Sequence, residues 1–153
     1  MPVLARLLVF VSLLLAQPAT AEELLGQVVG ISDGDTLTLL TQDHRRVRVR
    51  LAGIDAPESR RPYGSRARQE LSQLSFRQTV RMIVEDTDRY GRTVGKVMLR
   101  SLDLNAELVR RGAAWVYPQY NHDPTLPPLQ AAVRLAQRGL WALPASEQVP
   151  PWH

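Results

Sequence analysis

The 153-residue chain has no cysteine, one lysine, at position 96, and few aromatic residues: two phenylalanines, three tryptophans and four tyrosines. Without cysteine there is no disulfide, no thiolate metal centre and no lipid-attachment thiol, so stability must come from an ordinary core. Histidine is equally scarce. His44, His122 and His153 show no ligand spacing, read as surface residues, and argue against a zinc centre. A long apolar run is also missing, because the stretch from Leu7 to Ala16 is about half of the ~20 residues a membrane-spanning helix needs. No internal repeat or low-complexity tract interrupts the chain.

What the N-terminus does carry is Arg6, that short apolar run, and the small-residue ending Ala19-Thr20-Ala21, the layout of a cleavable export signal. Residues 1–21 are therefore expected to be removed, with a mature start at Glu22, a periplasmic or secreted location and no lasting membrane insertion. The remainder is one domain's worth of chain, expected over 22–142 and followed by a proline-rich tail over 143–153. A monomer is expected. Of 19 basic residues, 18 remain without Arg6 against 15 acidic ones, a formal charge of about +3 that is nearly all arginine. Arginine's planar fork suits bidentate phosphate contacts and favours an anionic partner, although a GC-rich genome would give the same bias.

Periodicity supplies the fold. Leu25, Val29 and Ile31, then Leu37 and Leu39, alternate with small or polar residues on either side of Asp33-Gly34, which predicts a hairpin with a type I′ turn. From Arg45 to Leu51 the alternation is regular, with Val47, Val49 and Leu51 on one face and Arg46, Arg48 and Arg50 on the other. Ser65 to Phe76 places Ala67, Leu71 and Leu74 on one helical face. The runs starting at Val80 and ending at Leu99 add a strand pair, making five strands. A second helix is expected from Leu104 to Arg111, with Asp103 as N-cap and Gly112 just past its end. A third starts near Thr125, with Pro127 and Pro128 in its first turn and Leu129, Val133, Ala136 and Leu140 on its apolar face. The tail is too short and proline-rich for regular structure, with Trp152 able to pin it to the body. This order fits an α+β chain, mainly β: a five-stranded OB-fold β-barrel with three helices.

Two acidic clusters stand out, Asp33-Gly34-Asp35-Thr36 and Ile54-Asp55-Ala56-Pro57-Glu58. Each alone is a turn. Jointly they put carboxylates on neighbouring strand ends, where Asp35 and Asp55 with a main-chain carbonyl and water suit a hard cation such as Ca²⁺. Arg50 lies five residues before Asp55, and Arg92 ends the tight link Asp88-Arg89-Tyr90-Gly91-Arg92. Guanidinium groups beside a metal are suited to the charge that builds on phosphorus in phosphodiester cleavage. Aromatic rings at Trp115, Tyr117 and Tyr120 offer stacking surfaces for bases, or core packing in the case of Trp115.

These four segments, Asp33 to Thr36, Arg50 to Glu58, Asp88 to Arg92 and Asn105 to Gly112, resemble the thermonuclease (staphylococcal nuclease-like) family in order and spacing from about Gly26 to Trp141. The resemblance implies an OB-fold endonuclease that uses one Ca²⁺ ion to hydrolyse DNA and RNA and leaves 3′-phosphate ends. It implies Asp35, Asp55 and the Ala56 carbonyl as metal ligands, Glu58 as the residue that orients or deprotonates water, and Arg50 and Arg92 as phosphate clamps. It implies Tyr90 as a neighbour that touches the nucleotide, and Arg89 and Tyr117 are further candidate contacts to the nucleic acid. Asp33 is expected to reach the ion only through water. The family's best-known member has threonine at the place of Ala56, and longer members carry a basic loop where this chain has the short link Ser59 to Pro62 with Arg60 and Arg61. The alternative from another class is a non-catalytic OB-fold module that binds nucleic acid without cutting it. A glycosidase pair at Asp55 and Glu58 fits poorly, since two carboxylates three residues apart do not oppose each other across a sugar bond and neither arginine has a role.

Overall fold

The computed structural model describes residues 16–153, so most of the expected export signal lies outside the described residues, and residues 16–21 run exposed into the first strand. In chain order the elements are β1 (Glu23–Asp33), β2 (Thr36–Thr41), β3 (Arg46–Leu51), β4 (Ile54–Asp55), α1 (Gly64–Ser75), β5 (Thr79–Thr87), β6 (Thr93–Leu99), β7 (Leu102–Asp103), α2 (Leu104–Arg110), β8 (Trp115–Val116) and α3 (Leu126–Leu135). Short 3₁₀ turns follow at Gly139–Ala142 and Ala145–Glu147. Among the described residues no helix is long and apolar enough to cross a membrane.

The five long strands make the expected barrel. They pair in the order β3-β2-β1-β5-β6, and β6 closes on β3 in parallel through Val49 with Thr93, Arg50 with Val94 and Leu51 with Gly95. The interior is filled by Val28, Leu37, Leu39, Val49, Leu51, Val80, Met82 and Val97, all within 1% of full burial. α1 and α2 cover the open ends of this core through Ala67, Leu71, Leu104 and Leu108. A smaller cluster of Trp115, Val133, Leu140 and Trp141 joins α3 to β8.

The inward face of β1 corrects the sequence reading. Leu25 is 55% exposed, and Gly26 and Val28 point inward instead. The pairing of β1 with β2 slips between Val28 and Gly30 and again between Ile31 and Asp33. A β-bulge adds one residue and reverses which face the following side chains occupy, and it bends the strand as barrel closure requires. The hairpin turn is also different. Asp33 pairs with Thr36 across Gly34 and Asp35, and neither of these has positive φ, so the turn is not type I′. Gly34 is there for space, since a Cβ would lie 2.7 Å from Cβ of Ala67 on α1 and 2.8 Å from Cβ of Ala56.

Helix boundaries follow local chemistry. Asp103 caps α2, its side chain accepting from the Ala106 amide at 3.0 Å, and Gly112 follows at φ +71. α3 ends at Leu135, earlier than the apolar pattern through Leu140 implies, because Gln137 and Gly139 take left-handed backbone and turn the chain. Asn105 ties these parts together while 3% exposed. Its Oδ1 accepts from the Val97 amide at 3.1 Å, and its Nδ2 donates to the carbonyls of Ala52 at 2.9 Å and Gly95 at 3.2 Å. Asn105→Ala strands the Val97 amide and the Ala52 carbonyl, at about 1–3 kcal/mol each. Urea unfolding is expected to show a loss of about 3 kcal/mol, and a loss under about 1 kcal/mol would contradict this role.

Candidate metal and phosphate site

The two acidic clusters meet at one end of the barrel. Asp35 sits in the β1–β2 turn, 5% exposed, and its carboxylate is fixed on both oxygens: Oδ1 accepts from the Thr36 hydroxyl at 2.9 Å and Oδ2 from the Ala56 amide at 2.7 Å. That last bond joins the turn to the segment after β4 and brings Asp55 alongside. Arg50, near the end of β3, bridges the pair. Its Nη1 lies 3.4 Å from Asp35 Oδ2 and its Nη2 lies 3.2 Å from Asp55 Oδ1. The same guanidinium donates to the carbonyls of Ile54 at 2.8 Å and Leu51 at 3.0 Å, so its plane is held by the chain it serves.

The electrostatics are those of carboxylates crowded together. Burial pushes Asp55 up to about 7, with the charge of Asp35 adding to the rise, Arg50 opposing it, and a shared hydrogen bond with Asp35 and the charge of Glu58 raising it further. Asp33 is also raised, by burial first and then by Asp35 and Glu58. Glu58 is exposed in the loop after β4, and its charge reaches both aspartates. One arginine among these carboxylates offsets only part of their mutual repulsion; a cation between Asp35 and Asp55 would relieve the rest. Among the described residues no three His, Asp or Glu side chains converge as a ready-made metal cage. The donor set therefore fits a hard ion that takes two carboxylates and completes its shell with carbonyl oxygens and water, as Mg²⁺ and Ca²⁺ do.

Arg92 comes from the turn that precedes the neighbouring strand, β6. Because Val94 pairs with Arg50, Arg92 leads into the strand that runs beside β3. Asp88 shapes its turn, accepting from the Arg92 amide at 3.0 Å and from Nε at 2.7 Å. Tyr90 is 61% exposed and flanked by cations, with Arg89 at 5.0 Å and Arg92 at 5.4 Å from its ring centroid. Tyr117 is less open. Its ring is stacked against Trp152 at 4.1 Å with 10° between planes and meets Tyr120 edge-on at 4.7 Å.

Three contacts at the site have no sequence signal of their own. Thr36 orients Asp35 with a buried hydroxyl, the Ala56 amide donates to Asp35 across 21 positions, and Arg68 on α1 donates to the Ile31 carbonyl at 3.1 Å beside Asp33. Spacing cannot find the last two, because each pairs residues brought together only by folding. The three histidines are exposed, as expected from their spacing.

A closed five-stranded barrel with a carboxylate pair bridged by arginine at its rim has the kind of oxygen donors that a divalent cation takes. Residues 48–143 match the family described as Staphylococcal nuclease homologue, and the chain belongs to that family. It is 41% identical over 136 residues to an uncharacterized endonuclease of Escherichia coli O157:H7, covering 88% of this chain and 87% of that protein. It is 40% identical over 153 residues to the micrococcal nuclease of Shigella flexneri, covering 93% and 86%. An uncharacterized endonuclease of Haemophilus influenzae is 43% identical over 116 residues, covering 76% of this chain and 65% of that protein. The chain is thus an endonuclease of this family, a phosphodiester hydrolase that acts on nucleic acid and depends on a divalent metal.

Proposed function

We propose that the chain is an exported, monomeric, calcium-dependent endonuclease that cuts DNA and RNA to leave 3′-phosphate ends, with the chemistry centred on Asp35 and Asp55. The observation that carries this reading is the pair of crowded carboxylates bridged by Arg50 at 3.4 and 3.2 Å beside the exposed Glu58. Asp35 and Asp55 would hold the ion with the Ala56 carbonyl, and Ca²⁺ suits such a site because it takes oxygen ligands in irregular geometry. A cation held there would supply Lewis-acid polarisation of a phosphate oxygen. Glu58, free in solvent, orients a water and accepts its proton as the water oxygen bonds to phosphorus. The P–O5′ bond breaks, the 5′ oxygen takes a proton from solvent as it leaves, and phosphate stays on the 3′ side. Arg50 and Arg92 offset the charge spread over the phosphoryl oxygens, while Arg89, Tyr90 and Tyr117 bear on the adjoining nucleotide. The methyl of Ala56 in place of a hydroxyl leaves the carbonyl ligand intact.

The test is cleavage of plasmid and single-stranded DNA by the chain starting at Glu22, with Ca²⁺ and then with excess chelator, followed by end-group analysis. Expected are cutting with Ca²⁺, none with chelator, and products that phosphatase treatment makes extendable at their 3′ ends. Products with 5′-phosphate ends would overturn the mechanism. Binding without cutting in any divalent cation would overturn the enzyme itself.

A further inference from the structure

Half of β3 is arginine. In Arg46-Val47-Arg48-Val49-Arg50-Leu51, burial of Val49 and Leu51 turns all three arginines to the outside of the barrel. Arg50 is engaged, by Asp35 at 3.4 Å and Asp55 at 3.2 Å. Arg46 and Arg48 are exposed and have no side-chain hydrogen bond or ion pair among the described residues. The acid nearest them in sequence, Asp43, is taken by Arg45 at 2.7 Å.

The strands beside this row do not neutralise it. On β2, Leu40, Thr38 and Thr36 stand opposite Arg46, Arg48 and Arg50. On the other side β6 pairs with β3 only from Val49 to Leu51, so among the described residues the first half of β3 is an open edge there. That ladder is parallel, and the residues before Thr93 therefore lie toward the start of β3, which puts the turn of Arg89, Tyr90 and Arg92 on the open side. The one carboxylate of that turn, Asp88, accepts from Arg92 Nε at 2.7 Å. Charge on a strand edge also blocks pairing with another sheet, but either sign does that, and three like charges in a row repel one another. An anion laid along the face removes the repulsion.

Successive arginines on one face of a strand stand about 6.8 Å apart, close to the interval at which an extended single strand presents successive phosphates. We propose that the outer face of β3 is a backbone track for single-stranded nucleic acid, on which Arg48 and Arg46 hold the two phosphates next along the strand from the one at Arg50. The inference rests on placing the cleaved phosphate at Arg50, beside Asp35 and Asp55. Phosphate contacts position a strand and read no base, so the track lengthens the footprint without adding sequence preference.

Steady-state cleavage of a mixed-sequence single-stranded oligonucleotide with divalent cation tests the track. Arg46→Ala and Arg48→Ala are each expected to raise KM roughly three- to tenfold with kcat and the urea midpoint unchanged, and to flatten the slope of log(kcat/KM) against log[salt] by about 0.7. Arg48→Lys keeps the charge and should keep the salt dependence. A dinucleotide, with one phosphodiester, is too short to reach Arg48 and should be cleaved alike by all of these proteins. Arg138→Ala removes an equal charge from the exposed segment after α3 and should leave KM as it is. An unchanged KM in both β3 alanine variants would overturn the track. So would an equal rise in Arg138→Ala, which would reduce the effect to net charge, or an equal loss on the dinucleotide, which would place the damage in the cleavage site. If the protein cuts nothing, fluorescence anisotropy of the labelled oligonucleotide with divalent cation decides. Binding weakened in Arg48→Ala and not in Arg138→Ala would uphold the track and refute the cleavage site alone; equal binding in both, or none in the wild type, would refute the two together.

Discussion

Asp55→Asn is expected to lower kcat by about 10³-fold or more while making the metal-free protein more stable at pH 8. The activity loss follows from removing one of the two carboxylates proposed to hold the cation, whose Lewis-acid contribution is several kcal/mol, about 10³-fold in rate. The stability gain follows from proton linkage. Burial and the neighbouring Asp35 push the Asp55 carboxyl from 3.8 up to about 7, so between about pH 4 and pH 7 the folded chain keeps a proton that the unfolded chain has released. This group's contribution to stability therefore falls as pH rises through that window and stays lower above it. An asparagine has nothing to ionise. After discounting the shift for partial solvent screening, the variant should gain on the order of 2 kcal/mol at pH 8 and nothing at pH 4. Thermal melts in chelator at the two pH values read the difference directly. Added divalent cation should then stabilise the wild type and not the variant, since only a ligand bound by the folded state shifts unfolding. Below pH 7 the wild type's apparent metal affinity should rise about tenfold per pH unit, as cation and proton compete for Asp55. A variant that is no more stable than wild type at pH 8 would show that the carboxylates are not held in conflict.

That conflict also explains what could be read from the chain before folding. Alternation over Arg46 to Leu51 is unbroken, so the arginine face of β3 and the position of Arg50 beside Asp55 were legible, and the register of β3 with β2 and β6 agrees. β1 was misread because two bulges interrupt its alternation, and a bulge depends on the strands it must pair with. Gly34 looked like a conformational glycine and proves to be a spatial one, since its constraint comes from Ala67, 33 residues away. Within the site, Asp35, Asp55 and Arg50 were recognisable through residue type and spacing. The Ala56 contact that orients Asp35 is not, because a backbone amide carries no mark of whether a carboxylate will fold against it. The same holds for Trp152, whose expected pinning role is met by a partner 35 positions away.

Arg50 and Arg92 should separate activity from stability. Arg92→Ala is expected to reduce kcat by about 10²- to 10³-fold, the range for losing one preplaced donor to a charged transition state. Its pair with Asp88 is roughly one-fifth exposed on each side and closes a local turn, so unfolding stability should change by no more than about 1 kcal/mol. Arg50→Ala should match or exceed that loss in kcat and should also cost about 3 kcal/mol in metal-free protein, because it leaves Asp35 and Asp55 buried side by side without their counter-charge. Arg50→Lys should recover part of the stability and little of the rate. A single ammonium can offset charge, but it cannot span two carboxylates and two carbonyls with one planar fork. Steady-state kinetics on single-stranded DNA and urea unfolding in chelator, run on all three variants, give the two readings independently. Wild-type kcat in Arg92→Ala would remove that residue from the chemistry. Unchanged stability in Arg50→Ala would mean that the carboxylates do not depend on it, and that the cation alone reconciles them.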